Sequence, residues 1–216
     1  MTCYFELSNR ERLRMMESSG IDWLYRYRPF DSSHFTLELE ALENRKIWMQ
    51  NMSGLNDKRE GSISKHVWDM ADQMLKKYRD NYGCFSMTTI EPQSENARYM
   101  WDNYASDGFC LVYSMRELAE NKIYMIPVNY VHKLDYIFLK NNHQHPECIF
   151  CTKENKWKAE SEWRHVDFLS QYGRGEYYKK SIIPVKAFIT KKIFNTPNYN
   201  RLEKLLEEMQ TEIVYM

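Results

Sequence analysis

Glycine is scarce in this chain, 7 in 216 residues, and none stands in a G-x-G-x-x-G or G-x-x-x-x-G-K arrangement. Rossmann and P-loop sites need glycines where the backbone approaches a phosphate, so neither is expected. A G-x-S-x-G elbow is missing too, which sets aside the usual α/β-hydrolase nucleophile. Net charge is absent: 30 basic residues balance 30 acidic ones, and no overall positive field draws the chain to nucleic acid or an anionic membrane. A local patch would be needed; the best, with Arg174, Lys179, Lys180, Lys186, Lys191 and Lys192, reads more simply as a solvated edge. No apolar run is long enough to span a membrane, and no membrane partner is expected. The start, Met1-Thr2-Cys3-Tyr4-Phe5-Glu6, lacks a basic region ahead of an apolar core, which predicts a cytoplasmic protein. Five irregularly spaced cysteines then predict reduced thiols, not a disulfide framework. Without a Pro-, Gly- or Ser-rich linker or an internal repeat, one domain is expected over residues 1–216, residues 1–20 being an N-terminal helical extension.

Bulky material is plentiful. With 43% apolar residues, including 16 Tyr, 10 Phe and 6 Trp, the chain should bury roughly 70% of its unfolded surface. Ser8 and Glu11 form a capping box and Gly20 a stop, predicting a charged helix over 9–19. Trp23-Leu24-Tyr25-Arg26-Tyr27-Arg28 reads as a strand ended by Pro29. Phe35, Leu39 and Leu42 have helical spacing, Lys46–Gln50 looks like a strand, and a loop runs from Asn51 to Gly61. Val67 to Tyr78 carries one apolar face of a helix. Strands are expected at 84–88, 109–113, 163–168 and 182–189, with 123–131 extended. Helices are expected at 95–104, briefly after Ser114, from Pro146 towards Lys158, and at 199–209 as the close of the chain. Strands and helices interleave without a βαβ rhythm. That predicts an α+β fold with a twisted, mostly antiparallel sheet flanked by helices.

The most informative stretch is Trp157-Lys158-Ala159-Glu160-Ser161-Glu162-Trp163-Arg164. On a strand, residues i and i+2 project to one side, so Glu160 and Glu162 would converge on one ligand. The plainer reading makes both solvated charges at a helix end, with Arg164 offering a surface ion pair of little value. Arg28 would project near a sheet end, Ser86 lies on an apolar strand, and Trp101 and Tyr104 fall on one helical face. Each of these also has an ordinary packing role open to it. His143, His145, Cys148 and Cys151 form H-x-H-x-x-C-x-x-C, too compact for a structural zinc site, and no metal is expected there.

Six segments occur in order. They are Leu24 to Arg28, Lys46 to Gln50 with the loop through Leu55-Asn56-Asp57, Cys84-Phe85-Ser86, Met100-Trp101 with Tyr104-Ala105, Gly108-Phe109, and Lys156-Trp157 with Glu160-x-Glu162-Trp163-Arg164. Together, from about residue 22 to residue 190, they resemble the bacterial domain-of-unknown-function family 2971. That family looks like a divergent branch of the ADP-ribosyltransferase superfamily, with many relatives near phage-defence or toxin-like genes.

The resemblance implies an ADP-ribosyltransferase-like fold, NAD as substrate and a macromolecular acceptor, or NAD hydrolysis at the same site. It implies Glu162 as the catalytic carboxylate, with Glu160 helping to choose the acceptor. Arg28, Ser86, Trp101 and Tyr104 would hold NAD. Breaking the nicotinamide–ribose bond builds an oxocarbenium-like cation, which a carboxylate on the ribose 2-hydroxyl stabilises. The family's Asn-Asp-Pro-Phe-Glu loop is replaced here by Asn56-Asp57-Lys58-Arg59-Glu60, and Asp102-Asn103 stand where relatives often have Ser-His. Two rivals remain: a metal-dependent nuclease with Asp57, Glu160 and Glu162 as ligands, and a non-catalytic interaction module.

Overall fold

Ser8 and Glu11 open the described chain as a reciprocal cap: the Ser8 backbone N–H donates to Glu11 Oε2 at 2.7 Å and the Glu11 N–H to Ser8 Oγ at 3.3 Å. Helix α1 follows over Asn9–Ser18, and Gly20, at φ 69°, ends it. The computed structural model describes residues 7–30, 33–51, 81–132, 146–169, 176–178, 182–194 and 197–216. The expected helix over Val67–Tyr78, the loop carrying Asp57, and His143 and His145 lie outside them.

The described strands are β1 (Trp23–Arg28), β2 (Ile47–Asn51), β3 (Tyr82–Thr88), β4 (Phe109–Ser114), β5 (Ile126–Pro127), β6 (Asn129–Val131), β7 (Thr152–Glu154), β8 (Glu162–Phe168), β9 (Glu176–Tyr178), β10 (Lys186–Ile189) and β11 (Glu212–Tyr215). The helices are α1, α2 (Ser33–Glu43), α3 (Ala97–Met100), α4 (Met115–Glu120), α5 (Pro146–Phe150) and α6 (Pro197–Glu208). The fold is α+β, a single domain whose mostly antiparallel sheet is flanked by helices, as the sequence predicts. Its chain divides into two compact units. The first takes Met1–Met15, Met49–Ser86 and Tyr124–Glu176; the second takes Met16–Trp48, Met87–Ile123 and Tyr177–Met216.

In the second unit the strand order is β11-β10-β4-β1, with Thr88 at the end of β3 paired to Tyr25 of β1. β1 runs antiparallel to β4 in full register, Tyr27 facing Cys110 and Arg26 facing Leu111. Alternation assigns the two faces. Tyr27, Cys110, Val112 and Phe188 pack with Ile90, Ala97 and Met100 from the α3 side. On the other face Phe109 meets Phe35 of α2, with ring centroids 5.7 Å apart. Both faces are covered, which is why β1 does not read as apolar-in, polar-out.

In the first unit β3 lies between β2 and β8, and β8 pairs antiparallel with β5. β6 and β7 form a separate parallel pair.

Two expectations are corrected. The helix expected from Pro146 to Lys158 stops at Phe150; β7 and a 3-10 helix over Asn155–Glu160 occupy the rest. The chain closes with β11, parallel to β10, and not with a helix. Gln210 at φ 59° reverses the chain after α6, and a four-residue strand is too short to show alternation.

Candidate functional site

Glu160 and Glu162 come together in the first unit, though not as two residues of one strand. Glu160 ends the 3-10 helix, Ser161 takes the left-handed conformation (φ 45°, ψ 47°), and Glu162 opens β8. The turn at Ser161 still brings both carboxylates to one point: Lys153 Nζ of β7 lies 2.7 Å from Glu160 Oε2 and 2.8 Å from Glu162 Oε2. Arg164 grips Glu162 bidentately, Nε to Oε1 at 2.7 Å and Nη2 to Oε2 at 3.0 Å. Its Nη1 donates to the Phe150 carbonyl at 2.6 Å. The four side chains are 3 to 10% exposed, so the solvated-charge reading does not hold, and the Arg164 pair belongs to the interior. Two cations against two carboxylates make the quartet neutral.

Burial alone would raise the Glu162 pKa, but Arg164 and then Lys153 overcome it and hold the carboxyl at about 2. The backbone N–H of Glu162 donates to the Tyr130 hydroxyl at 2.9 Å, and burial pushes that phenol up to about 12, so it stays protonated. Oε1 of Glu162 accepts one bond, from Arg164, and retains a second acceptor direction. Cys84, whose thiol burial pushes up, senses Arg164, Glu162 and Lys153, and its Sγ lies 3.3 Å from Ser86 Oγ. Ser86 therefore faces the same side of β3 as the quartet.

Arg28 belongs to the second unit. Arg26 and Arg28, at i and i+2 of β1, share a face and both end on Glu38 of α2. Arg26 Nε and Nη2 donate to Glu38 Oε1 and Oε2 at 2.8 and 3.0 Å, and Arg28 Nε donates to Oε2 at 2.9 Å. Burial opposes the Glu38 charge, but Arg26 and Arg28 hold its carboxyl at about 2. Burial and then Arg26 push the Arg28 guanidinium down to about 10, still cationic at neutral pH. The Arg28 side chain is 26% exposed, and its Nη groups make no bond among the described residues.

Trp101 and Tyr104 do not share a face. Residues Trp101–Ala105 wind as a π-helix, whose i→i+5 bonding spreads positions three apart further round the axis than an α turn does. Trp101 is half-buried, its Nε1 donating to the Pro92 carbonyl at 3.1 Å and its ring set edge-on to Tyr27 at 5.0 Å; Tyr104 is exposed. Gly108 ends this segment, and a Cβ there would lie 2.0 Å from the Arg28 carbonyl oxygen.

Among the described residues no group of three or more His, Cys, Asp or Glu is placed to hold a metal ion. Cys148 is disulfide-bonded, correcting the expectation of an all-reduced set, while Cys84, Cys110 and Cys151 form no disulfide. In the basic run, Lys186 pairs with Glu212 at 2.9 Å and exposed Lys192 with Asp107 at 2.5 Å, while Arg174, Lys179 and Lys180 lie outside the described residues. No helix among the described residues is long and apolar enough to cross a membrane. Sequence reasoning missed Lys153, Tyr130, Arg26 and Glu38 as site residues. Charge at an inward strand position, Arg26 between Tyr25 and Tyr27, was the one available signal. No protein-family model, curated protein or solved structure matches the chain.

Proposed function

We propose that the chain is an NAD-consuming enzyme of the ADP-ribosyltransferase type, an effector that moves ADP-ribose to a macromolecule. The observation that carries the reading is the state of Glu162: buried, ionised down to a pH of about 2, and fixed in place by Arg164 and Lys153 with one acceptor direction of Oε1 unspent. A carboxylate beside a developing oxocarbenium ion has to be anionic and already oriented, and both conditions are met before substrate arrives. Ser86 on the same side of β3 supports this. In the second unit, taken by itself, Arg28 keeps donors of the kind that suit a pyrophosphate oxygen. Trp101 is committed to Pro92 and Tyr27, which counts against its stacking on a substrate ring. The nuclease reading has less support, since Glu160 and Glu162 already serve Lys153 and Arg164.

The test is nicotinamide release from NAD by the wild-type protein and Glu162→Gln, with label followed onto protein, RNA and DNA of a lysate and onto free ADP-ribose. Glu162→Gln removes a charge from a buried network, so its thermal melt is recorded alongside. Release that disappears in a folded variant supports the reading, and the labelled product distinguishes transferase from glycohydrolase. A wild-type protein that releases no nicotinamide and gains no thermal protection from NAD overturns it.

A further inference from the structure

We infer that Tyr130 is a second substrate-binding residue beside Glu162, its phenol O–H donating to the ribose hydroxyl next to the one that Glu162 takes. This role rests on the reading of Glu162 given above and extends it from one sugar hydroxyl to the vicinal pair. Tyr130 stands in register with Lys153 in the parallel β6–β7 pair, so the two side chains leave the same face, and both arrive at Glu162. Lys153 meets the carboxylate, with Nζ 2.8 Å from Oε2. Tyr130 meets the main chain, its oxygen accepting the Glu162 N–H at 2.9 Å.

A hydroxyl has one proton to give as well as lone pairs to fill. The Glu162 N–H fills a lone pair of Tyr130, and the phenol proton goes to no group among the described residues. Burial pushes the phenol up to about 12, so it remains a donor at neutral pH. The residue is half-buried and not sealed in the interior. Glu162 is the complementary half. Its Oε2 has taken Arg164 Nη2 and Lys153, and its Oε1 only Arg164 Nε, which leaves one acceptor direction on Oε1. A single residue thus carries an anionic acceptor at its tip and a neutral donor held against its main chain. A sugar diol calls for that combination, one hydroxyl donating and the oxygen of its neighbour accepting. Because the phenol lies against the backbone N–H and not against the carboxylate, it serves the neighbouring hydroxyl. The 2-hydroxyl of the nicotinamide ribose then goes to Glu162 Oε1 and the 3-hydroxyl to Tyr130.

The experiment compares NAD with an analogue lacking the 3-hydroxyl of the nicotinamide ribose, in wild type and Tyr130→Phe, by nicotinamide release and by thermal protection. Wild type should prefer NAD by about 2- to 10-fold in kcat/KM, the range of one neutral hydrogen bond, and Tyr130→Phe should lose that preference. A purely structural role for Tyr130 would slow both substrates alike, so a variant that keeps the wild-type preference overturns the inference, as does a wild type that shows none. If NAD protects the wild type but no nicotinamide is released, the enzymatic reading fails, and the same preference read from thermal protection still decides the role of Tyr130. A wild type that neither releases nicotinamide nor gains protection from NAD overturns both. Should Tyr130→Phe not fold, 3-fluorotyrosine incorporated at position 130 keeps the hydroxyl, and its fluorine resonance should move further with saturating NAD than with the analogue. Equal shifts overturn the inference.

Discussion

Arg26 and Glu38 face each other as a buried fork-to-fork pair, and Arg28 takes the same carboxylate from the other side of Oε2. Glu162 is held in a similar way by Arg164 and Lys153 in the first unit. Among the described residues, two cations meet two carboxylates around Glu162, and two guanidiniums meet one carboxylate around Glu38.

Acid should unfold the protein through these two glutamates. Both have folded-state pKa values depressed to about 2, below the ordinary value near 4.3 that the unfolded chain restores. The unfolded state therefore binds protons first, so the stabilisation is complete above about pH 4.5 and is lost as pH falls towards 2. Each group contributes up to about 3 kcal/mol at neutral pH. Urea unfolding at pH 7, 4 and 3 measures the slope, and Glu38→Gln should remove about half of it. Equal stability at pH 7 and pH 3 would contradict the pairing.

Gly108→Ala should be among the most damaging single substitutions. Its Cβ would sit 2.0 Å from the Arg28 carbonyl oxygen and 2.8 Å from that of Ala105, both main-chain atoms that no rotamer change can move. A loss of at least about 3 kcal/mol is expected, the upper range for point variants. Gly20→Ala is the control: φ is +69° but nothing lies within 4 Å, and a cost of about 1–2 kcal/mol for the left-handed backbone is expected. Paired thermal melts decide the order.

Arg28→Ala should weaken NAD binding and leave most of the stability in place. Arg26 retains its own bidentate hold on Glu38, so the buried carboxylate is not left alone. A charge-assisted hydrogen bond to a phosphate oxygen amounts to about 1.5–3 kcal/mol, a rise of roughly 10- to 100-fold in KM with a smaller change in kcat. The wild-type KM should climb with salt more steeply than the variant's. A variant with unchanged KM would remove Arg28 from the substrate.

The sequence was most legible where local chemistry acts alone. Ser8 with Glu11, Gly20, the six residues of β1 and the Ser114 cap of α4 lie where their patterns put them. Legibility failed where a short element is fixed by a distant neighbour, as β7 is by β6 and β11 by β10. The acid pair shows both outcomes. Glu160 and Glu162 do converge, but the strand argument for it was wrong, because a left-handed serine and a lysine from β7 do what alternation was expected to do. Lys153 could not be found from its surroundings in sequence: Thr152-Lys153-Glu154 has the look of an exposed loop, yet all three residues are buried. For Trp101 and Tyr104 the assumption of α-helical winding failed, since a π turn separates them.

The closeness of Arg26 and Glu38 along the chain has a consequence in folding time. They stand 12 residues apart, and a loop of that length closes on the order of 10–100 ns. The strand that pairs with β1 beside Arg26, β4, lies far further along the chain. The ions can thus find each other while still hydrated, before the sheet that will enclose them exists. Sheet assembly then dehydrates a pair already made and not three separate charges, so the slow step of forming this face carries a smaller electrostatic barrier than a distant acid partner would impose.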